Sequence, residues 1–252
     1  MFEKLGVIAD IHGNAWALEA VLQDAVRRGV TRFVNLGDIL YGPLRPLDTY
    51  KLLQNANVVA SISGNQDRQI FEATAENLRA NPTLAFVIEN LGPEPIAWLP
   101  RLHATEVIDG SVFLCHGSPT SDTTYLLEDV SSGRPIVRPE SAIIELLGAV
   151  RQPVILCGHT HIPRMVRLAD GRLVLNPGSV GLPAYDDTTP TLHYMETHSP
   201  HASYAVLEKV PAGWNVSFHR IAYEWSDAAK QTRNLNREDW ARGIQTGRMT
   251  TD

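Results

Sequence analysis

The stretch Val154-Ile155-Leu156-Cys157-Gly158-His159-Thr160-His161 decides how the rest of this 252-residue chain is read. Four apolar residues run into a glycine and then into two histidines two positions apart. Such a run fits a buried strand that ends by delivering imidazoles to the edge of a sheet. A lone pair of histidines has ordinary structural explanations, so the question is whether other strand ends repeat the arrangement.

Four upstream segments do. Leu5 to Ala9 precedes Asp10-Ile11-His12, Arg32 to Leu36 precedes Gly37-Asp38, Val58 to Ile62 precedes Gly64-Asn65-Gln66-Asp67, and Ser111 to Cys115 precedes His116. Between the first three lie helical patterns. Ala15 to Arg28 places Leu18, Val21, Leu22 and Val26 on one face and stops at Gly29, and Pro46 to Leu53 forms a second helix. This βαβαβ rhythm predicts a parallel sheet, in which ligands gather beyond the carboxyl ends of the strands.

Further along, residues 68–102 read as a helical flank punctuated by Pro82, Pro93, Pro95 and Pro100. Asp109-Gly110 marks a hairpin, Pro139 to Val150 a helix, and Asp170-Gly171 and Ala212-Gly213 two more hairpins, so the second half is expected to be antiparallel. Two sheets packed face to face with helices outside both would account for the mixture. Residues 184–201 read as an inserted solvated loop carrying Asp186, Asp187, His193, His198 and His201, and the residues from Trp225 as a polar, frayed tail. One domain over 1–252 is expected.

Composition narrows the partners. With 44% hydrophobic residues the chain can bury a large core, and a net charge of -6 gives no general basic footprint for nucleic acid, which is not an expected partner. No run approaches the roughly 18 to 20 apolar residues of a membrane span, and the first apolar run is too short for a signal peptide. A cytoplasmic location without membrane contact is expected. Cys115 and Cys157 each end an apolar run and read as small buried strand residues rather than a disulfide pair.

The clusters suit one chemical device. Two divalent ions about 3.5 to 4 Å apart, with a hydroxide between them, form an effective centre for attack on phosphorus. Asp10, His12 and His161 can converge on one ion, Asn65, His116 and His159 on a second, and Asp38 can bridge the pair. Nitrogen and oxygen donors without thiolate favour manganese, iron, zinc or cobalt, with manganese the first choice. Two divalent ions less two carboxylates and one hydroxide leave about one positive charge, which suits an anionic phosphate.

In order and spacing, Asp10-Ile11-His12-Gly13-Asn14, Gly37-Asp38, Gly64-Asn65-x-Asp67, His116-Gly117 and Gly158-His159-Thr160-His161 resemble the calcineurin-like metallophosphoesterase superfamily. Asn176-Pro177-Gly178-Ser179-Val180-Gly181 is similar to its small bacterial and archaeal phosphodiesterase-like branch. The resemblance implies an α/β fold, a four-layer α/β/β/α sandwich of two mixed sheets flanked by helices, and a small phosphorylated substrate. It also implies a histidine after Gly-Asn, a residue credited with protonating the leaving oxygen or contacting phosphate. Here Gln66 stands in that place.

An amide can donate a hydrogen bond but cannot give up a proton. The expected reaction is therefore hydrolysis of phosphodiesters with stable leaving groups, with Gln66 and Asn14 positioning the substrate. Arg134, Arg138 and Arg164 lie near candidate loops, where they could meet a distal phosphate. The competing expectations are a non-catalytic, protein-binding scaffold of the same fold and a dinucleoside polyphosphate hydrolase.

Overall fold

A computed structural model describes residues 4–250. It begins with β1 (Lys4–Ile8), α1 (Ala15–Arg27), β2 (Phe33–Asn35), α2 (Pro46–Asn55) and β3 (Val58–Ser61). The three strands are parallel neighbours, with Val7 beside Val34 and Asn35 beside Ser61. Leu18 and Val21 of α1 are buried as the periodicity predicts, but Val26 is 58% exposed. The inward position of that last turn is taken by Asp24, whose carboxylate accepts the Tyr204 hydroxyl at 2.8 Å.

The helical flank starts earlier than expected, at Asn65. It comprises α3 (Asn65–Phe71), α4 (Ala75–Ala80), α5 (Pro82–Leu91), α6 (Pro93–Trp98) and a 3-10 turn over Leu99–Arg101. Pro82 and Pro93 occupy first helical positions, where a missing N–H costs nothing, so they start helices rather than break them. Asn81 caps α5 by accepting the Leu84 N–H at 3.1 Å.

Next come β4 (Thr105–Ile108), β5 (Val112–Cys115), the short pair β6 (Glu128–Asp129) and β7 (Ile136–Val137), α7 (Glu140–Leu147), β8 (Val154–Leu156), β9 (Arg164–Arg167) and β10 (Leu173–Asn176). The β4–β5 turn has positive φ at both Asp109 and Gly110, as a tight two-residue hairpin requires. The second sheet runs β4-β5-β8-β10-β9. Its three central strands are parallel and only its edges antiparallel, which corrects the antiparallel expectation for this half. The long connection through α7 supplies the crossover that parallel neighbours need.

The chain continues through β11 (Ala184–Asp187), β12 (His193–Glu196), β13 (Ala202–Val210), β14 (Gly213–Ile221), α8 (Trp225–Asn234) and α9 (Glu238–Thr246). β13 pairs antiparallel with β1, so the first sheet is mixed, β14-β13-β1-β2-β3. Side-chain alternation then builds the layers. Leu5, Val7, Val34, Leu36, Val112, Leu114, Val154 and Leu156 form the core between the sheets. Ile8, Phe33 and Tyr204 face the helices on one side, while Phe113, Cys115, Ile155 and Val174 face α7 on the other. The result is the α/β/β/α sandwich.

Two expectations about the later residues are corrected. The insertion is a two-stranded hairpin, β11–β12, with Ala184, His193, Met195 and Glu196 buried rather than a solvated loop. The polar tail is a helix pair. Trp240, Ala241 and Ile244 form one buried face of α9, and Ala228, Ala229 and Thr232 one of α8, so a few small or well-spaced residues anchor segments that are polar on average. No helix among the described residues is long and apolar enough to cross a membrane.

Candidate metal centre

Every residue expected to bind metal follows the carboxyl end of a strand: Asp10 and His12 after β1, Asp38 after β2, Asn65 after β3, His116 after β5, and His159 and His161 after β8. The two sheets face each other, so these loops meet along one edge. Asp10, His12 and His161 group together, as do Asp38, His116 and His159, with potential ligand atoms in each group within 4.8 Å of one another. Asn65 joins the second group, its Oδ1 3.1 Å from His116 Nε2. His116 Nε2 also lies 3.5 Å from Asp38 Oδ2 and 3.9 Å from Asp10 Oδ1, between the two carboxylates.

The loops hold these residues in a costly backbone conformation. Asp10, His12, Asp38, His159 and His161 all have positive φ, and they are five of the eight non-glycine residues that do so among the described residues. Each such residue costs of order 1–3 kcal/mol and persists only where surrounding structure enforces it. Gly64 allows the enforcement: a Cβ there would lie 2.5 Å from the Asp38 nitrogen. The Asp67 carboxylate accepts the N–H groups of Ile39 at 2.9 Å and Gly64 at 3.1 Å, tying the two loops together. Burial and the neighbouring Asp38 push its pKa up to about 7.

The Asn176-Pro177-Gly178-Ser179 run braces the other side. Asn176 Nδ2 donates to the Gly158 carbonyl at 2.7 Å and Ser179 Oγ to the Asp10 carbonyl at 2.7 Å.

Each histidine is oriented by a backbone carbonyl. One ring nitrogen faces Tyr41 O for His12 at 3.2 Å, Leu36 O for His116 at 2.7 Å, Thr123 O for His159 at 3.2 Å and Leu182 O for His161 at 2.6 Å. Donation to those carbonyls turns the other nitrogen of each ring toward the cluster, where it can coordinate once it carries no proton. His12 Nε2 and His161 Nε2 then oppose each other at 3.1 Å, with Asp10 Oδ1 3.4 Å from the latter. Lone pairs converging on carboxylate oxygens repel unless a cation lies among them, so the donor set fits divalent metal.

The electrostatics agree. Burial works against ionisation of Asp10 and Asp38, but His161 and His116 outweigh it and hold both carboxyls below the ordinary range. Burial pushes His12 down to about 4, and burial with His116 does the same to His159. His116 is desolvated too, yet Asp38 and Asp10 hold its pKa up to about 10. It is therefore the ligand from which an arriving cation must displace a proton.

Other expectations fare differently. Gln66 lines the cavity over the cluster, its N–H donates to Asp38 Oδ1 at 2.8 Å, and its side-chain Oε1 is buried without a hydrogen-bond partner. Asn14 is not available to substrate. Its side chain accepts the Ala17 N–H and donates to Gly181 O and the Tyr223 hydroxyl, so it caps α1 and holds the framework. Arg134 pairs with Glu196, Arg164 with Glu128 at 2.8 Å, and Arg138 with the Tyr125 carbonyl at 3.0 Å. Each has an internal acceptor, and none of the three lines the cavity over the cluster.

Sequence reasoning gave residues 184–201 a lid role only as the alternative to a solvated loop, and gave α9 no part in the site. A space of about 200 Å³ is closed above the metal cluster by Tyr185, Asp186 and Asp187 of β11 and by Arg237, Asp239, Trp240 and Met249 in and around α9. The Tyr185 hydroxyl donates to His159 O at 2.9 Å, and its ring meets His161 at 4.5 Å between centroids. The spacing of Trp240, Ala241 and Ile244 was the one available signal for α9.

Fold and site together define a metal-dependent phosphoesterase, and a sequence model of the calcineurin-like phosphoesterase superfamily domain matches residues 4–200; the chain belongs to that superfamily. It is similar to a metallophosphoesterase from Sphaerobacter thermophilus, at 26% identity and a TM-score of 0.74, with 98% of this chain and 100% of that one covered. An uncharacterized protein of Methanocaldococcus jannaschii is 27% identical over 202 residues, 71% of this chain and 76% of the relative.

Proposed function

We propose that the chain is a dinuclear phosphodiesterase that hydrolyses small monoanionic diesters whose leaving groups are stable as anions, with manganese the first-choice metal. Asp10, His12 and His161 would hold one divalent ion and Asn65, His116 and His159 a second, with Asp38 beside both groups, and the ions would supply Lewis acidity and an activated water. The chain's own residues supply the rest. The histidine–carbonyl pairs fix the ligands.

Gln66 carries the diester reading. It lines the cavity and stands where the family resemblance expects a proton-donating histidine, and it has no proton to give. Its Oε1, without a partner among the described residues, is an acceptor and would meet a donor of the substrate rather than the phosphate itself. The roof supports the same reading, because Asp186 and Asp187 oppose the several negative charges of a dinucleoside polyphosphate more than the single charge of a diester. A cavity of about 200 Å³ is also small for two nucleosides.

The test is hydrolysis of an aryl phosphodiester and an aryl phosphomonoester by manganese-loaded protein, beside Gln66→His. The diester should turn over faster, and the histidine should raise monoester hydrolysis by about tenfold or more, within the usual contribution of a general acid. Faster monoester turnover that Gln66→Ala leaves unchanged would overturn the diester assignment.

A further inference from the structure

Arg237 lies outside the residues matched by the superfamily, yet it reaches into the cavity above the metal cluster. Among the described residues it is the only lysine or arginine lining that cavity, alongside His12, Asp38, Asn65, Gln66, His159 and His161. It sits at the N-cap of α9, and its guanidinium is fixed on three sides. Nε donates to Asp239 Oδ1 at 2.9 Å and Nη2 to Asp239 Oδ2 at 2.5 Å, Nη1 donates to the buried Thr83 hydroxyl, and Cζ stands 5.4 Å from the centre of the Trp240 ring.

A guanidinium carries five N–H donors. Three of Arg237's are engaged by Asp239 and Thr83, which leaves one on Nη1 and one on Nη2. Two coplanar donors on a side chain that packing has already immobilised match two oxygens of a phosphoryl group, and little entropy remains to be lost on binding. Asp239 reduces the net charge of this wall without consuming those donors.

We propose that Arg237 is a substrate-binding residue of the phosphoesterase, holding phosphoryl oxygens from the roof side opposite the metals and supplying the contact that Gln66 cannot make as a cation. This rests on the phosphoester reading of the site. It assigns the C-terminal helix pair a direct part in the reaction.

Inorganic phosphate binding to manganese-loaded protein, followed by calorimetry, tests it apart from turnover. Arg237→Gln should bind phosphate about 10- to 100-fold more weakly, as expected for loss of a charged hydrogen bond, with manganese content unchanged. Arg237→Lys, which keeps the charge and loses the fork, should fall between and serves if the glutamine variant does not fold. Arg233→Gln is the structural control, because Arg233 bonds Glu238 and Gln245 on the same helix pair but lies outside the cavity. It should lower the melting temperature and leave phosphate affinity alone.

Unchanged phosphate affinity in Arg237→Gln, or an equal loss in Arg233→Gln, overturns the assignment. Wild-type protein that binds phosphate but cleaves no ester would overturn the phosphoesterase reading while phosphate affinity still decides for or against Arg237. Wild-type protein that binds no phosphate overturns both.

Discussion

The floor of the cavity draws seven residues from loops that leave five strands of two facing sheets, whereas its roof is a separate two-stranded hairpin with α9 packed against β11. The floor is held by backbone: positive φ at five ligands, a carbonyl behind each histidine, and Asp67 clamped on two loops. The roof is held by side chains, through the Tyr185 hydroxyl, the Arg237–Asp239 pair and the Glu196 contacts. Metal coordination tolerates little displacement, so it sits on the rigid part. On the proposed reading, substrate selection falls to the roof, which side chains and a few backbone bonds such as His198 N–H to the Gly247 carbonyl hold in place.

If the floor is one preorganised unit, Asp38→Asn should have the largest effect. It removes the carboxylate placed to serve both ions, and activity should fall by more than about 100-fold, the upper range for a change outside the ligand shell. Bound metal per chain, measured by elemental analysis, should fall with it. Retention of full metal content would show that the two clusters do not share this group.

The roof should yield without emptying the floor. Ile244 is fully buried in α9 and distant in sequence from every ligand, and Ile244→Ala should cost about 2–5 kcal/mol. Hydrogen exchange over residues 225–246 should rise while metal content stays constant. Loss of metal in this variant would erase the distinction between floor and roof.

The smallest effect is expected with acid. Burial opposes ionisation of Glu196, but N–H groups of Thr250 and Met249 and the Arg134 guanidinium overcome it and hold the pKa down to about 2. A carboxyl depressed in the folded state stabilises above its ordinary value of 4.5 and loses that contribution as pH falls toward about 2. Exchange at Met249 and Thr250 should therefore rise across that window in the native chain. In Glu196→Gln the exchange, corrected for the intrinsic pH dependence of amide exchange, should show no such rise.

The same division governs what the sequence reveals. Each floor residue follows an apolar run immediately, so local order alone placed Asp10, Asp38, Asn65, His116 and His159 on one edge. The hairpin at Asp109-Gly110 was equally local. β13 and β14 were recognised as strands, but nothing within Ala202–Ile221 says which sheet they join; that depends on β1, nearly the whole chain away. Arg134 and Arg164 looked free for phosphate because Glu196 and Glu128 are remote in sequence. Asn14 looked like a substrate contact because Tyr223 and Gly181, which occupy its amide, are equally remote.

The β1–β13 pairing has a consequence in time. Leu5 lies opposite Leu207, and the Asp10 carbonyl receives the Gly181 N–H, so the loop bearing the first ligand is braced by residues far along the chain. Long-range pairing of this kind forms late and slowly. Folding must therefore close this long-range pairing before the walls that aim Asp10 and His12 are complete.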